Sequence, residues 1–450
     1  MTLGRPSLAT LTASQGIRAF RHRNYRLFFG GQGVSLVGTW MQSVAQSWLV
    51  LQLTGDPFVL GVVAACQFLP VLVLGLFGGV IADQLPKRET QMATQAVAMV
   101  TSLVMFGLTA TGVVQVWHVL AIALVIGVRN AVDMPTRQAF AVEMVGREDI
   151  QNAVALNSAM FNGARIVGPA IAGLVIGAFG VPLAFLIDAI SFLAVLFALW
   201  LMDPTQLNMP PAIPRPHSVR EVADNLAEGL RYVRDTPLVL LATVVIGLVS
   251  TFGMNFTVLV PPLAKDVLGS DASGYGFLMS ASGLGSLVAA LAIAFSGRVR
   301  ATAIVAGAVL LGVAEVVTGV SRLFPVTLVA MLFVGIGGIT MSATANSTIQ
   351  LSVPDVLRGR VMSVYTTVFA GSTPIGGLVM GAIATRFGVA EALVVGGVVS
   401  ALVGVGGWLA IRRGAVPAAP PRPAAVVRPA PATGGIALGA AGRPIARPKS

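Results

Sequence analysis

Charged residues are scarce in this sequence. Only 10% of its 450 residues are charged, whereas 55% are hydrophobic. A soluble domain carries roughly 25% charged residues. This composition therefore cannot build a water-facing surface of ordinary extent, and we expect most of the surface to face lipid.

Cysteine and histidine are nearly missing, which excludes several kinds of site. The single cysteine, Cys66, excludes an intrachain disulfide. The three histidines, His22, His118 and His217, lie too far apart in sequence to suggest a His/Cys metal cluster. No Gly-x-x-x-x-Gly-Lys-Ser/Thr sequence occurs, so nothing points to ATP hydrolysis. We therefore expect a protein that is not an enzyme and that has no cofactor or metal.

Long apolar runs dominate what is present. A helix that crosses a bilayer needs about 20 apolar residues, and helices are the way in which open-chain spans satisfy their backbone polar groups in hydrocarbon. The sequence therefore predicts an all-α integral membrane protein with twelve spans. The runs lie near residues 25–52, 58–82, 90–112, 117–140, 152–179, 182–202, 237–262, 273–296, 301–320, 324–348, 359–386 and 390–412.

The cations predict the orientation in the membrane. If the N-terminus is cytoplasmic, every Lys and Arg except Lys265, Arg322 and Arg386 falls in a cytoplasmic tail, in a cytoplasmic loop or on the nearer half of a helix that flanks such a loop. Cytoplasmic loops carry such an excess of cations, so both termini are expected in the cytoplasm. The net charge of +11 then forms a rim beside anionic lipid rather than a nucleic-acid surface. No cleavable signal peptide is evident, because Arg-rich sequence leads into a full-length span.

One long polar connection divides the spans into two sets of six. Its start is proline-rich, and then Leu226, Leu230 and Val233 recur with other apolar residues at helical spacing, which predicts an amphipathic interfacial helix. This linker is either a simple tether or a regulatory element. The predicted segments are a disordered tail at 1–17, a six-helix bundle at 18–202, the linker at 203–236, a six-helix bundle at 237–413 and a disordered tail at 414–450.

A block of glycine, acid and cations ends the second apolar run. Residues 78–88 read Gly-Gly-Val-Ile-Ala-Asp-Gln-Leu-Pro-Lys-Arg. They resemble the loop-2–3 signature Gly-x-x-x-Asp-basic-x-Gly-basic-basic of the major facilitator superfamily, although Gln and Pro replace a basic residue and the second Gly. The alternative is an ordinary helix end with flanking cations. The matching positions are Gly79, Asp83, Lys87 and Arg88.

The resemblance implies a conformational latch. Asp83 would meet cations of neighbouring helices and hold the two halves in one state, with Arg137 and Arg360 as the candidate partners. Breaking this contact would shift an inward–outward equilibrium. A static salt bridge is the alternative, because structural ion pairs are common.

The two halves also repeat each other. The sequence Gly-Leu-Val-Ile-Gly at 173–177 in span five recurs as Gly-Leu-Val-Met-Gly at 377–381 in span eleven. Asp56 and Gly61 before span two correspond to Asp271 and Gly276 before span eight. Parallel six-span repeats are what this superfamily uses for alternating access. We therefore expect two pseudo-symmetric bundles.

Polar side chains within spans are functional candidates because they are costly in lipid. They form either a substrate cavity or hydrogen bonds between helices. Span one carries several near one helical face, span five carries a polar stripe, and span seven adds one weaker candidate. These cavity candidates are Thr39, Gln42, Gln46, Ser158, Asn162, Arg165 and Asn255.

Three acids lie inside predicted spans, namely Asp133, Asp188 and Glu315. A carboxyl group in a low dielectric can take up a proton, which proton-driven exchange requires of at least one group. The alternative for each acid is a structural role in a buried pair. Asp133 shares a helical face with Arg129 and Arg137, so it can pair within its own span.

Span five also contains Gly168, Pro169 and Gly173 in a block that resembles the Gly-Pro-x-x-Gly-Gly sequence of drug-exporting members. Span eleven has an analogue that begins at Pro374. Gly and Pro at these positions allow a helix bend and close packing. The resemblance favours export over import.

Longer stretches at 20–28, 38–42, 129–140 and 228–233 extend the similarity over residues 18–412. They resemble the bacterial major facilitator subfamily that includes the enterobactin exporter and related macrolide- and multidrug-efflux proteins. The resemblance implies a monomeric inner-membrane exporter of small amphipathic molecules, driven by proton antiport. An importer, or a non-transporting sensor or scaffold on the same fold, is the alternative.

Overall fold

The computed structural model describes residues 17–208, 219–296 and 300–419, without the side chains of residues 75–84 and 219–223. Disorder was predicted for residues 1–17 and 414–450, and residues 1–16 and 420–450 fall outside the described residues. Residues 414–419 are described and pack on the helices, since Val416 is buried and the Ala418 carbonyl oxygen accepts from the Ala301 amide at 3.0 Å. Within the described residues the chain is helical, and the predicted all-α membrane fold is confirmed. The helices are α1 Arg23–Thr54, α2 Pro57–Gln84, α3 Lys87–Ala110, α4 Val116–Phe179, α5 Val181–Trp200, α6 Val219–Asp235, α7 Pro237–Gly253, α8 Phe256–Pro262, α9 Ala272–Ser296, α10 Ala301–Val320, α11 Phe324–Ser352, α12 Asp355–Phe387 and α13 Val389–Arg412.

Helix α4 makes two crossings. Its 64 residues would span about 96 Å at 1.5 Å per residue, roughly three times the thickness of a hydrocarbon core. The helix breaks at Gly146, where φ is 71° and ψ is 179°, a conformation that glycine adopts without the steric cost of a side chain. The sequence predicted two spans separated by residues 141–151, whereas the structure turns the chain around this one glycine.

Ten helical stretches of the described residues are long and apolar enough to cross a membrane. The 64-residue α4 counts once among them and supplies two crossings. The 32-residue α1 is not among them, because its polar side chains lower its hydropathy. With α1 and the second crossing of α4 included, the twelve predicted spans are accounted for.

The seventh span is interrupted, which the sequence did not predict. Helix α7 ends at Gly253, and Met254 and Asn255 have non-helical φ/ψ before α8 begins. The Asn255 Nδ2 donates to the Thr251 carbonyl oxygen at 2.7 Å, so this side chain takes part in the bonding at the break. A π-helical turn, Leu263–Val267, follows α8.

The two ends of the helices differ. We call the end that carries residues 17–22 and 413–419 the terminal face, and the opposite end, with the loops at 55–56 and 268–271, the far face. The first six spans meet the last six along two helix pairs, α2 with α12 and α4 with α9. The short α8 also contacts α1 and α2, so the outer part of the seventh span packs on the other half of the chain.

A hydrophobic cluster closes the far-face half of this interface, and we call it the far-face plug. Two of its aromatic rings stack across the interface, with centroids 6.2 Å apart and an interplanar angle of 16°. Close van der Waals packing of such side chains stabilises a contact between helices in a bilayer. The plug consists of Trp48, Val63, Leu259, Leu263 and Tyr275, all of them buried, with Trp48 and Tyr275 as the stacked pair.

Candidate substrate and coupling sites

Paired glycines bring the two halves into backbone contact beside the plug. A Cβ atom built on Gly61 of α2 would lie 2.7 Å from the carbonyl carbon of Gly377 in α12. A Cβ atom on Gly276 of α9 would lie 2.9 Å from the Cα of Gly173 in α4. Neither position has room for a side chain, so each glycine pair sets the separation of its helices. The sequence repeat relates Gly61 to Gly276 and Gly173 to Gly377, so the two contacts correspond to each other.

The predicted bend residues lie at the same interface or next to it. A Cβ atom on Gly168 would lie 2.5 Å from Trp40 Cβ, so α4 packs closely on α1. The carbonyl oxygen of Pro169 faces Gly276 of α9. Pro374 is buried within α12. The structure therefore shows close packing at these positions, and a functional bend remains a prediction.

The predicted cavity residues of α1 occupy two environments. Gln42 and Gln46 are buried, and the Gln46 Oε1 accepts a hydrogen bond from the Gln67 Nε2 of α2 at 3.2 Å. Thr39 is half-buried and donates its hydroxyl to the Ser35 carbonyl oxygen of its own helix. Gln46 thus has a helix-to-helix bond, while Thr39 bonds locally.

The polar stripe of α4 lies on the terminal side of the glycine contact. Ser158 is exposed, and Asn162 is half-buried with its amide donating to the Ser158 carbonyl oxygen at 2.8 Å. Arg165 is half-buried and lies closer to the plug, with its guanidinium carbon 5.9 Å from the ring centroid of Trp40. These three side chains follow one another along α4, on the terminal side of the far-face plug.

Asn255 belongs to the break in the seventh span rather than to this stripe. It is buried, and a Cβ atom on Gly376 of α12 would lie 2.8 Å from its Oδ1. Its amide is bonded to Thr251. The sequence suggested a cavity position for Asn255, and the structure puts it at a helix break that faces α12.

Asp133 is the most heavily bonded of the three intramembrane acids. Its Oδ1 accepts hydrogen bonds from Thr94 at 2.7 Å, Gln95 at 2.9 Å and Gln91 at 3.2 Å. The Arg129 Nη2 lies 3.9 Å from its Oδ2. A buried charge is tolerated when it is paired and hydrogen-bonded in this way. The arrangement therefore suits an ionised structural acid that joins α3 to α4.

Asp188 has one partner and one unbonded oxygen. Its Oδ2 accepts a 2.5 Å hydrogen bond from the Ser102 hydroxyl, while its Oδ1 has no hydrogen-bond partner among the described residues. The side chain is fully buried against Gly38 of α1. This environment ties α5 to α1 and α3 and leaves one oxygen for a proton or a further donor.

Glu315 differs from both. It is fully buried, and neither carboxyl oxygen has a hydrogen-bond partner in the part of the chain that the structure describes. The carboxyl group faces two glycines, since Cβ atoms built on Gly253 and Gly396 would lie 3.1 and 3.3 Å from its oxygens. An isolated ionised carboxylate in such a place is very costly. The geometry therefore favours the protonated form.

The predicted latch residues are only partly described. Gly79 and Asp83 lie in the last two turns of α2, and their side chains are outside the described residues. Lys87 Nζ lies 3.4 Å from Glu143 Oε1; burial raises the pKa of Glu143, and the Lys87 charge opposes that rise. The Arg88 guanidinium donates to backbone carbonyl oxygens at the end of α5. These two cations therefore hold the start of α3 against α4 and α5.

The two cations predicted as partners of Asp83 occupy different places. Arg137 is half-buried on α4, one turn beyond Asp133. Arg360 forms an ion pair with Glu228 of α6, the linker helix. Sequence inspection missed Glu228 as a partner, because a contact between residues 132 positions apart leaves no periodic signal.

Sequence reasoning also missed a charged cluster on the terminal face. Asp149 lies just beyond the Gly146 break, and its side chain is 1% exposed. It contacts His22 Nε2 at 2.9 Å and Arg21 Nε at 2.8 Å. The hydrogen bond from His22, together with the charges of Arg21 and Arg18, holds the pKa of Asp149 below its ordinary value. The cluster fixes residues 18–22 to the turn of α4.

Comparisons with known proteins bear on the function of these features. The family described as transmembrane secretion effector matches residues 14–418 of the sequence. The staphyloferrin A transporter of Staphylococcus aureus is 26% identical over 388 residues, covering 83% of this chain and 92% of that protein. The multidrug efflux pump Tap of Mycolicibacterium fortuitum is 30% identical over 366 residues, covering 78% of this chain and 87% of that protein.

A solved structure shares the arrangement of the helices. It is that of a bacterial homologue of the human lysosomal transporter Spinster, in an inward-facing and unoccupied conformation. The TM-score is 0.69, with coverage of 87% of this chain and 97% of that chain. The identity is 12%, so the likeness concerns the fold alone.

Proposed function

Because the chain belongs to the transmembrane secretion effector family of the major facilitator superfamily, we propose that it exports small amphipathic molecules by alternating access. Members of this family are multi-pass membrane transporters rather than enzymes, and a small-molecule substrate follows from membership. The export direction, the coupling ion and the two-bundle mechanism are our proposal.

The interface between the halves carries the proposal. Glycine pairs and the far-face plug seal one half of that interface, and the polar stripe of Ser158, Asn162 and Arg165 lies on the terminal side of the seal. A rocking motion of residues 18–202 against 237–413 would open the plug and close the other side. Parallel six-span repeats provide two similar bodies for such a motion.

Relatives and sequence support export. Two relatives are named for the transport of staphyloferrin A and for multidrug efflux. The block at Gly168 and Pro169 agrees with the drug-exporting pattern. With the terminal face in the cytoplasm, as the cations predict, the closed plug leaves the polar stripe on the side from which an exported molecule arrives. The plasma membrane of a bacterium is the location that fits.

Proton antiport needs an acid that is neutral in one state and charged in another. Glu315 suits this role best, because Asp133 has four polar partners and Asp188 has the Ser102 hydroxyl. Glu315 also adjoins the break in the seventh span. Loss of its proton would place an unpaired charge beside that break, which favours a different helix arrangement.

The test is transport by the purified full chain in proteoliposomes with an imposed pH gradient, using ethidium and carboxyfluorescein as probes. We expect probe movement that the gradient drives and a protonophore abolishes. Probe movement that does not depend on the pH gradient would contradict the proposal of proton coupling. A protein that moves neither probe, and that gives no drug resistance to an efflux-deficient strain, would overturn the transporter proposal.

The latch has its own test in the same assay. Asp83→Asn removes the charge and keeps the shape of the side chain. At equal membrane abundance we expect it to reduce flux at least ~10-fold, because loss of the predicted latch contact shifts the conformational equilibrium. Unchanged flux would show that the acid has only a static role.

A further inference from the structure

Arg165 is a cation within a span that has no acidic partner among the described residues. The ion pairs found among the described residues involve other cations. Its guanidinium lies over the face of the Trp40 ring. Charged residues within spans pair with one another or face a water-filled cavity, and they mark substrate pathways. Arg165 is therefore free of any acidic partner among the described residues and available to pair with an anion from outside the chain.

The neighbouring helices contain few acids that could neutralise Arg165. Helices α1 and α9 contain no Asp or Glu along their whole length. The acid of α5, Asp188, accepts a hydrogen bond from Ser102. The ion pair found on α4 within the described spans joins Asp133 to Arg129 rather than Asp188 to Arg165. The acid of α2, Asp83, lies in the last turn of that helix, at its terminal end. The sequence thus keeps acids away from this stretch of α4.

An aromatic surface adjoins the cation. Trp40 and Phe161 meet edge to face, with centroids 5.7 Å apart and an interplanar angle of 66°. Phe161 is 44% exposed, one turn from Arg165 on the terminal side. The rings offer apolar area next to the guanidinium, and a guanidinium binds a carboxylate through two parallel hydrogen bonds.

The backbone around Arg165 is in contact with the opposite half of the chain. A Cβ atom on Gly283 of α9 would lie 2.9 Å from the Arg165 carbonyl oxygen. The Ser280 hydroxyl of the same helix donates to the Ile166 carbonyl oxygen at 2.7 Å. The cation therefore lies where the two halves meet, at a position whose exposure would change when they rock.

We propose that Arg165, Trp40 and Phe161 form a site for the carboxylate of an amphipathic organic acid. The guanidinium pairs with the carboxylate, and the rings cover the adjoining apolar or aromatic body of the molecule. This inference rests on the proposed export function and narrows its substrates from small amphipathic molecules to organic anions. Arg165 acts here as a specificity residue.

The experiment measures binding and flux separately. Binding of carboxyfluorescein, an aromatic carboxylate, to the purified full chain is followed by fluorescence anisotropy, and flux of carboxyfluorescein and of the cation ethidium is followed in proteoliposomes. We expect Arg165→Gln to weaken carboxyfluorescein binding at least ~10-fold, as loss of a charge-assisted hydrogen bond implies. Arg165→Lys keeps the charge without the planar fork, so its binding should fall between that of wild type and that of Arg165→Gln.

The matched control is Arg386→Gln. Arg386 also lies over an aromatic ring, with its guanidinium carbon 5.8 Å from the Phe387 centroid, but it is exposed on the far face. Binding should be unchanged in this variant. Thermal stability of each detergent-purified variant separates a lost site from a lost fold.

The outcomes distinguish the two proposals. Arg165-dependent binding by a protein that moves neither probe and gives no drug resistance supports the anion site and overturns export. Gradient-driven ethidium flux with no Arg165-dependent binding of carboxyfluorescein overturns the anion site and leaves export standing. Equal carboxyfluorescein binding by wild type and a folded Arg165→Gln variant would likewise contradict the inference.

Discussion

Among the described residues, Glu315 lies between helices that offer it no charged partner. Helices α7 and α11 contain no Asp, Glu, Lys, Arg or His, α10 has no other, and α13 has only Glu391 and Arg412 near its two ends. A carboxyl group placed there has no charge to pair with, so it is stable when neutral. The proposed coupling role of Glu315 therefore requires that proton binding there be linked to how the surrounding helices pack.

Glu315→Gln tests that link, because the amide has the same shape and binds no proton. We expect gradient-driven flux to fall at least ~10-fold, which corresponds to about 1.4 kcal/mol, while probe exchange without a gradient persists. The measurement is flux in proteoliposomes with and without the pH gradient. Glu391→Gln, at an exposed acid in the first turn of α13, is the control and should keep full gradient-driven flux. A Glu315→Gln protein that keeps full gradient-driven flux would contradict the role given to Glu315.

Asp149 predicts a pH dependence at the terminal face. Its pKa is lowered by the hydrogen bond from His22 and by the nearby arginines. A lowered pKa stabilises the fold at pH values above the ordinary Asp pKa, about 4, and this stabilisation is lost as the pH falls through the folded-state pKa. The contribution is therefore complete at neutral pH and disappears in acid.

We expect Asp149→Asn to destabilise the protein at pH 7 by about 1–2 kcal/mol, since it removes hydrogen bonds to a charged group. The difference from wild type should shrink as the pH falls below about 4. Thermal unfolding in detergent at several pH values measures both. Glu148→Gln serves as the control, because the Glu148 side chain is 86% exposed. An Asp149→Asn protein as stable as wild type at pH 7 would refute the cluster's role.

At the scale of elements, glycines determine how closely the halves approach. A Cβ atom on Gly276 would overlap the Pro169 carbonyl oxygen and lie 2.9 Å from the Gly173 Cα. Both atoms belong to the backbone of α4, so the clash cannot be relieved by turning a side chain. Adding one methyl group must separate α9 from α4 and loosen the seal beside the far-face plug.

Gly276→Ala is therefore expected to favour opening of the far face. A single cysteine introduced by Ser47→Cys, in a Cys66→Ala background, reports access to the region of the plug from the far side. Labelling by a membrane-impermeant maleimide should become several-fold faster with Gly276→Ala. Gly163→Ala on α4 is the matched control, because a Cβ atom there meets nothing within 4 Å. Equal labelling rates in all three proteins would contradict the assignment of Gly276 to the seal.

The sequence predicted the elements better than their contacts. Apolar runs located the spans, because hydropathy reflects the bilayer directly. The sequence did not predict the break at Met254 and Asn255, because the run around it is largely apolar and the break involves one buried amide bonded to Thr251. The Gly146 turn was expected as a longer loop, because polar residues surround it and helix pattern alone does not locate a single left-handed glycine.

Prediction of the candidate site was uneven for a similar reason. Intramembrane acids stand out in any apolar sequence, so Asp133, Asp188 and Glu315 could be selected as candidates. What distinguishes them is their partners, which come from other helices, such as Ser102 for Asp188. Sequence periodicity describes faces within one helix and carries no information on which face of another helix meets it.

At the scale of the molecule, the repeat supports the proposed rocking mechanism. Gly61 packs on Gly377, and Gly276 packs on Gly173. The repeat relates Gly61 to Gly276 and Gly377 to Gly173, so the two contacts are equivalent. Two similar bodies joined along two similar helix pairs can rock about the midline between them. The far-face plug closes one side of that midline, and the polar stripe lies toward the other.

The most direct test locks the far face shut. Asp56 and Thr385 lie on opposite halves there, and the Thr385 hydroxyl donates to the Asp56 carboxylate. Asp56→Cys with Thr385→Cys, in a Cys66→Ala background, allows a disulfide across the closed interface. We predict that oxidation lowers probe flux in proteoliposomes at least ~10-fold, because the open state is no longer populated, and that reduction restores it. A fully cross-linked protein that transports as fast as its reduced form would contradict alternating access through this interface.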